Sequence, residues 1–266
     1  MDRLSQLENQ SIYIIREAYA QFKRLAVLWS IGKDSTVMLW LIRKAFCGHI
    51  PFPAVHIDTT YKIPEMITYR DRFVKKWRID LKVNMNKKAL QRGMGPHKGK
   101  VVCCDVLKTR GLQQLIKKED YHGLFLGIRR DEEGTRAKER FFSPRDIHFE
   151  WNFKDQMPEI WDQFNTHFDK NTHIRIHPIL HWTELDVWEY IKREKIPIID
   201  LYFAKRGRRY RSLGCACCTA QIASRAKTVD KIIKELKKTT HTERQGRAQD
   251  HESTYAMQKL RVKGYM

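Results

Sequence analysis

Between Leu25 and Phe46 the chain switches from a short apolar run to a helical apolar repeat, and the hinge is Ser30-Ile31-Gly32-Lys33-Asp34-Ser35. Leu25-Ala26-Val27-Leu28-Trp29 has the length and apolarity of a buried strand, and Thr36 to Phe46 has a helical apolar pattern. The unit therefore reads strand, glycine loop, helix, and it opens a βαβ unit. The loop suits an anion: glycine permits a tight turn, successive backbone N–H groups surround a charge, and the helix N-terminus behind adds a favourable dipole. It is not a Gly-x4-Gly-Lys-Ser/Thr loop.

The alternation continues. Apolar residues at helical spacing from Leu4 to Phe22 give an opening amphipathic helix. Ala54 to Asp58, Leu81 to Val83, Leu124 to Gly127 and Ile174 to Ile179 read as strands, and Glu65 to Trp77, Leu107 to Lys118 and Glu184 to Glu194 as helices, the last capped by Thr183. This predicts an α/β fold, a Rossmann-like, doubly wound parallel sheet with helices on both faces. Two units are expected: residues 1–198 as the nucleotide-binding domain, and residues 199–266 as a basic, mostly helical extension with a helix at Val229 to Lys238 and a polar tail from His241.

The 266 residues include 51 Lys+Arg against 31 Asp+Glu, a formal charge of +20, while 42% are apolar, enough for a sizeable core. No apolar run approaches the roughly 18 residues that cross a bilayer, and the polar, acid-containing start predicts neither leader nor transit peptide, so a cytoplasmic protein without membrane contact is expected. The charge excess predicts attraction to a polyanion, and Arg206 to Arg211 with Lys234 to Lys238 are the expected DNA contacts.

The Ser-x-Gly-Lys-Asp-Ser loop resembles the pyrophosphate loop of the adenine nucleotide alpha-hydrolase superfamily, whose members cleave ATP between the α and β phosphates. The resemblance implies that Ser30, Gly32, Lys33, Asp34 and Ser35 hold ATP with Mg²⁺, with Lys33, Asp34 and Ser35 in the chemistry. The segments Pro51 to Thr59, Phe125 to Glu133, Arg136 to Arg140 and Glu243 to Arg247 resemble the small subunit of bacterial sulfate adenylyltransferases across nearly the whole chain. That resemblance implies an adenosine contact at Asp58. Gly127 is placed with the nucleotide, and Arg129, Arg130, Arg136, Lys138 and Arg140 form a cation cluster able to hold triphosphate oxygens, with Arg129 and Arg130 as catalytic. Asp131 and Glu132 are left to pair with those cations or to help hold Mg²⁺.

Cys103-Cys104 and the pair Cys215 and Cys218 suit a tetrahedral sulfur site, for zinc or an iron–sulfur cluster on spacing alone. Their flanks resemble the segments that carry a [4Fe–4S] cluster in adenylylsulfate reductases, which implies that cofactor on Cys103, Cys104, Cys215 and Cys218. Cys217 is left as a bystander or a sulfur carrier, and Cys47 is expected in the core. With no cysteine after Cys218, reductase chemistry lacks its attacking sulfur.

Loop, cysteines and charge together point to an ATP pyrophosphatase that adenylates a nucleic-acid backbone oxygen for replacement by sulfur, as in bacterial DNA phosphorothioation. The implied partners are DNA and a cysteine desulfurase, with a homo-oligomer possible. The alternatives are sulfate activation, tRNA thiolation, and a non-enzymatic iron–sulfur nucleic-acid-binding subunit.

Overall fold

The computed structural model describes residues 1–161, 163–169, 172–247 and 256–265. In order, the elements are α1 (Arg3–Gln21), β1 (Leu25–Leu28), α2 (Lys33–Ala45), β2 (Ala54–Ile57), α3 (Pro64–Trp77), β3 (Leu81–Asn84), α4 (Lys87–Gln91), α5 (Lys100–Cys104), α6 (Arg110–Glu119), β4 (Gly123–Phe125), β5 (Phe142–Arg145), β6 (His173–Ile176), α7 (Glu184–Glu194), β7 (Arg208–Arg209), β8 (Ile222–Ala223), α8 (Val229–Leu236) and α9 (Ala256–Val262). Six strands form one sheet in the order β3-β2-β1-β4-β6-β5, and β7 pairs with β8 apart from it.

The expected doubly wound sheet is present. β1 pairs in parallel with β2 and β4, β2 with β3, and β4 with β6. Because the winding starts at β1, runs out to β3 and returns to β4, the strand order reverses between β1 and β4, where open α/β sheets leave a crevice. The four inner strands are buried at every position, as strands covered by helices on both faces must be, even where β2 carries His56 and β6 carries His173 and Arg175. β5 was not expected. It is antiparallel to β6 at the sheet edge, and its Pro144 is tolerated there because an edge strand leaves one N–H row unpaired.

Local chemistry sets the helix ends. The Asp2 side chain accepts from Ser5 N at the start of α1, and Thr183 with Asp186 forms a reciprocal capping box on α7. Trp40 of α2 and Trp77 of α3 lie 5.9 Å apart between ring centres. α2 starts at Lys33, three residues before the apolar repeat, so Lys33, Asp34 and Ser35 are its first turn rather than loop. A π-helical turn at Asp105–Thr109 joins α5 to α6. Among the described residues no helix is long and apolar enough to cross a membrane.

The C-terminal region does more than extend. Ile232 and Ile233 enter the main core, the turn at Glu243–Gly246 reaches the sheet crevice, and Leu260 and Tyr265 are buried beside Cys104. Arg175 of β6 donates to the Tyr265 carbonyl at 3.0 Å, tying this end of the chain to the sheet.

One buried ion pair braces the sheet edge: Arg145 Nη2 lies 2.9 Å from Glu139 Oε1, both almost fully enclosed. Burial works against the Glu139 carboxylate, but Arg145 and His177 hold its pKa down to about 2 from an ordinary 4.5. A depressed carboxylate pKa stabilises the fold above the unfolded value, and that contribution fades as pH falls from about 4.5 through about 2. Denaturant titrations against pH should therefore show an acid loss of stability that Glu139→Gln flattens. At pH 7 the same variant should cost about 3 kcal/mol, because Arg145 stays buried without its partner.

Candidate nucleotide and oxyanion site

The crevice beyond β1 and β4 is a pocket walled by the first turn of α2, the ends of both strands, and the returning C-terminal region. The tight turn at its floor is made by Ile31, which holds a left-handed backbone with φ of 69° and is almost fully buried. Gly32 has φ of −73° and serves as the helix N-cap. Glycine is demanded instead at Gly127: a Cβ there would sit 2.9 Å from the Asp34 carbonyl and the Ser35 nitrogen, so the segment after β4 can touch α2 only without a side chain. Ser30 Oγ and Ser35 Oγ are 3.1 Å apart across the loop, and Ser35 Oγ also donates to the Gly32 carbonyl. The Lys33 N–H donates to Tyr202 Oη at 2.8 Å.

Two fully enclosed cations lie behind this loop. Lys33 Nζ is 3.1 Å from Asp34 and contacts Glu243, while the Arg129 guanidinium meets Asp34 at 2.7 Å and also contacts Asp131 and Glu243. Burial alone would discharge Lys33, but Asp34 and Glu243 outweigh it and hold the ammonium protonated. Glu243 is pushed up to about 7 by burial, against the pull of Lys33 and Arg129. A second layer follows: Arg136 pairs with Glu132, and Arg244 reaches Glu132 at 3.2 Å and Glu133 at 2.9 Å. Asp131 and Glu132 thus pair with the cations, one of the two roles left open for them.

At the other end the balance differs. Lys62, Lys108 and Arg247 line the pocket, and among the described residues none has a carboxylate at ion-pair distance. Arg247 is held by Ser212 Oγ, Thr219 Oγ1 and the Leu213 carbonyl. Lys62 is lowered to about 8, first by burial and then by repulsion from Lys108. Burial works against the Lys108 ammonium, but Tyr265, Cys215 and Cys104 hold it protonated; Arg247 has neutral partners, and Lys62 and Lys108 repel each other, a strain that an added anion would ease.

The pocket lining gathers Ser30, Gly32, Lys33, Asp34, Ser35, Gly127 and Arg136, with Arg129 directly behind. The remaining expected residues lie outside it. Arg130 donates to His181 and to the Glu139 carbonyl, Lys138 sits 4.6 Å over the Phe153 ring, and Arg140 donates to the Met157 carbonyl. Asp58 closes a local turn by accepting from Thr60 N. Sequence reasoning did not single out Lys62 or Tyr202 and gave no role to Lys108, Glu243 or Arg247. The last three lay inside segments already quoted, whereas Lys62 carried no signal.

Part of the basic segments expected on DNA is committed internally. Arg209 is buried against Glu235 at 2.6 Å, Arg211 pairs with Glu184 at 2.8 Å, and Lys237 pairs with Glu189 at 3.1 Å. Cys47, expected in the core, is exposed at a left-handed turn after α2.

Cys103 and Cys104 of α5 and Cys215 and Cys218 of the loop before β8 are all buried, with Cys217 exposed beside them. Their donor chemistry suits a metal, but among the described residues no group of three Cys, His, Asp or Glu side chains is placed to hold one. Cys215 Sγ is turned to Thr59 Oγ1 at 3.2 Å, and Cys218 Sγ lies 3.6 Å from Cys217 Sγ. As arranged, the residues do not fit the implied [4Fe–4S] cluster, and no step is assigned to one.

Residues 24–221 match the phosphoadenosine phosphosulfate reductase domain family. Proteins named sulfate adenylyltransferase subunit 2 from Saccharophagus degradans and Geobacter metallireducens are 41% and 42% identical, each covering 100% of this chain and 98% of the relative. Among solved structures, phosphoadenylyl-sulfate reductase from Candida auris superposes with a TM-score of 0.55 at 15% identity, over 83% of this chain and 98% of that one. FMN adenylyltransferase from Candida glabrata gives 0.56 at 16%, over 82% and 63%. At such identities these two speak for the fold alone. The whole-length relatives overturn the expectation of DNA phosphorothioation, which rested on charge and cysteines and set sulfate activation second.

Gly127→Ala would drive a methyl group into the α2 turn. Isothermal titration should show MgATP binding weakened about tenfold or more, the scale of a lost charge-assisted contact, with cooperative unfolding retained.

Proposed function

The chain belongs to the phosphoadenosine phosphosulfate reductase domain family and is an ATP-using enzyme of adenylyl transfer; we propose that its acceptor is sulfate. In this reading it works with a second kind of subunit, as the name of its relatives indicates, and makes adenylyl sulfate and pyrophosphate from ATP and sulfate. The observation that carries the choice is that Lys62, Lys108 and Arg247, with no carboxylate at ion-pair distance among the described residues, share one pocket with the phosphate loop.

The chemistry asks for two anions held together against their repulsion. The first turn of α2 and its N-terminal amides receive the nucleotide phosphates, and Lys33 and Arg129 neutralise charge on the β and γ phosphates once Glu243 yields them. Lys62, Lys108 and Arg247 take sulfate and offset its charge. A sulfate oxygen then attacks the α phosphorus, the bond to the bridging β oxygen breaks, and pyrophosphate leaves. Magnesium enters with ATP, since Asp131 and Glu132 are already engaged by arginines. Residues 1–198 supply the nucleotide end, and residues 199–266 contribute Arg247 and Glu243 to the walls.

The deciding assay is release of pyrophosphate from ATP by the chain together with its partner subunit, with and without sulfate. Sulfate-dependent release with formation of adenylyl sulfate is expected; release indifferent to sulfate would sink the assignment. Arg247→Met should raise the KM for sulfate about tenfold or more, as for loss of a charged hydrogen bond, and leave the Kd for MgATP within about twofold. Because Lys62 loses its proton near pH 8, the KM for sulfate should rise as pH passes through about 8.

A further inference from the structure

His56 of β2 is fully buried and yet lines the pocket, and the reaction just described gives it no part. Its Nδ1 lies 2.9 Å from the Trp29 carbonyl. A carbonyl oxygen only accepts, so Nδ1 carries the proton and Nε2 of the neutral ring is a bare acceptor. Burial, then the Lys62 ammonium and the Arg70 guanidinium, push the imidazole pKa down to about 4, against the Trp29 carbonyl and Asp58, so the ring is neutral. Among the described residues nothing donates to Nε2. His173 and His177 also lack a partner there, but neither lines the pocket.

An unmet acceptor in a buried wall costs free energy until a ligand brings the hydrogen. Sulfate and the phosphates of MgATP have none to give. Of the two substrates only the nucleoside does, from the amine of its base or the hydroxyls of its ribose. The surrounding wall chooses between them. Leu28 at the end of β1, Ile57 beside His56, and Leu126 and Ile128 after β4 are all buried and line the same pocket, and apolar walls of this kind suit a flat base. We propose that His56 Nε2 accepts a hydrogen bond from the adenine N6 amino group and so selects ATP by its base. A guanine or hypoxanthine carbonyl at that position would set acceptor against acceptor. The proposal deepens the reading of the pocket as an ATP site and rests on it, but not on sulfate as the acceptor.

Isothermal titration of the full-length chain compares MgATP with the magnesium complex of purine riboside triphosphate, the same nucleotide without the amino group. The wild-type chain should bind MgATP about tenfold or more tighter, as for one buried hydrogen bond left unmade. His56→Asn keeps an amide donor for the Trp29 carbonyl but has no atom at the Nε2 position, and should bring the two Kd values within about twofold. His56→Gln, whose longer amide reaches that position, should restore part of the difference. The losses caused by 2′-deoxy and 3′-deoxy ATP should be the same in wild type and His56→Asn, and cooperative thermal unfolding checks that each variant is folded. No preference for the amino group in the wild type, a preference that survives in His56→Asn, or a ribose effect that vanishes with the imidazole would overturn the proposal. Binding of neither nucleotide would remove the ATP reading with it. Base selection by a protein that makes no adenylyl sulfate with its partner subunit would remove the sulfate reading and leave the role of His56 standing.

Discussion

The pairing of Lys33 and Arg129 with Asp34, Asp131 and Glu243 is the interaction around which the pocket is arranged. Two cations with no solvent exposure cost several kcal/mol each to desolvate, and only closely set counter-charges offset that. Each carboxylate arrives from a different place: Asp34 from the first turn of α2, Asp131 from the segment after β4, and Glu243 from the returning C-terminal region. Neutralising two charges therefore also fixes three separate stretches of backbone. Gly127 is part of the same constraint, because Arg129 reaches Asp34 only if the segment after β4 lies against α2.

Along the pocket the charges are handled in two ways. At the phosphate loop every cation carries its own counter-ion, so an incoming triphosphate must compete with protein carboxylates and gains only the difference. At the far end Arg247 is held by hydroxyls and a carbonyl, which position a cation without cancelling it, while Lys108 is held protonated by Tyr265, Cys215 and Cys104. An anion arriving there meets nearly the whole field.

Much of this was legible in the sequence because it is local. Leu25 to Trp29, the Ser30 to Ser35 loop and the helix after it are contiguous, so periodicity and glycine placement locate them to within three residues. Thr183 announces α7 by a cap whose partner is three residues away. β5 was illegible because Pro144 argues against a strand unless its edge position is known. Glu243 was quoted but given no role, since nothing near it says that it lies beside Lys33. The charge misled for a related reason: Arg209 and Arg211 count toward +20 but spend their charge on Glu235 and Glu184 inside the fold. The cysteine spacing was read as a [4Fe–4S] site, which the four sulfurs as arranged do not form: Cys215 turns to Thr59 and Cys218 lies beside Cys217.

Lys33 and Glu243 are separated by 210 positions along the chain. Closing so long a loop is entropically expensive, and contacts of that span form after local ones. During folding, the strand, loop and helix of the nucleotide end can assemble with Lys33 still in water. Only when the distant carboxylate arrives does the ammonium leave solvent. The order of assembly thus keeps an uncompensated charge out of the interior, and the ATP pocket is among the last features of the molecule to take shape.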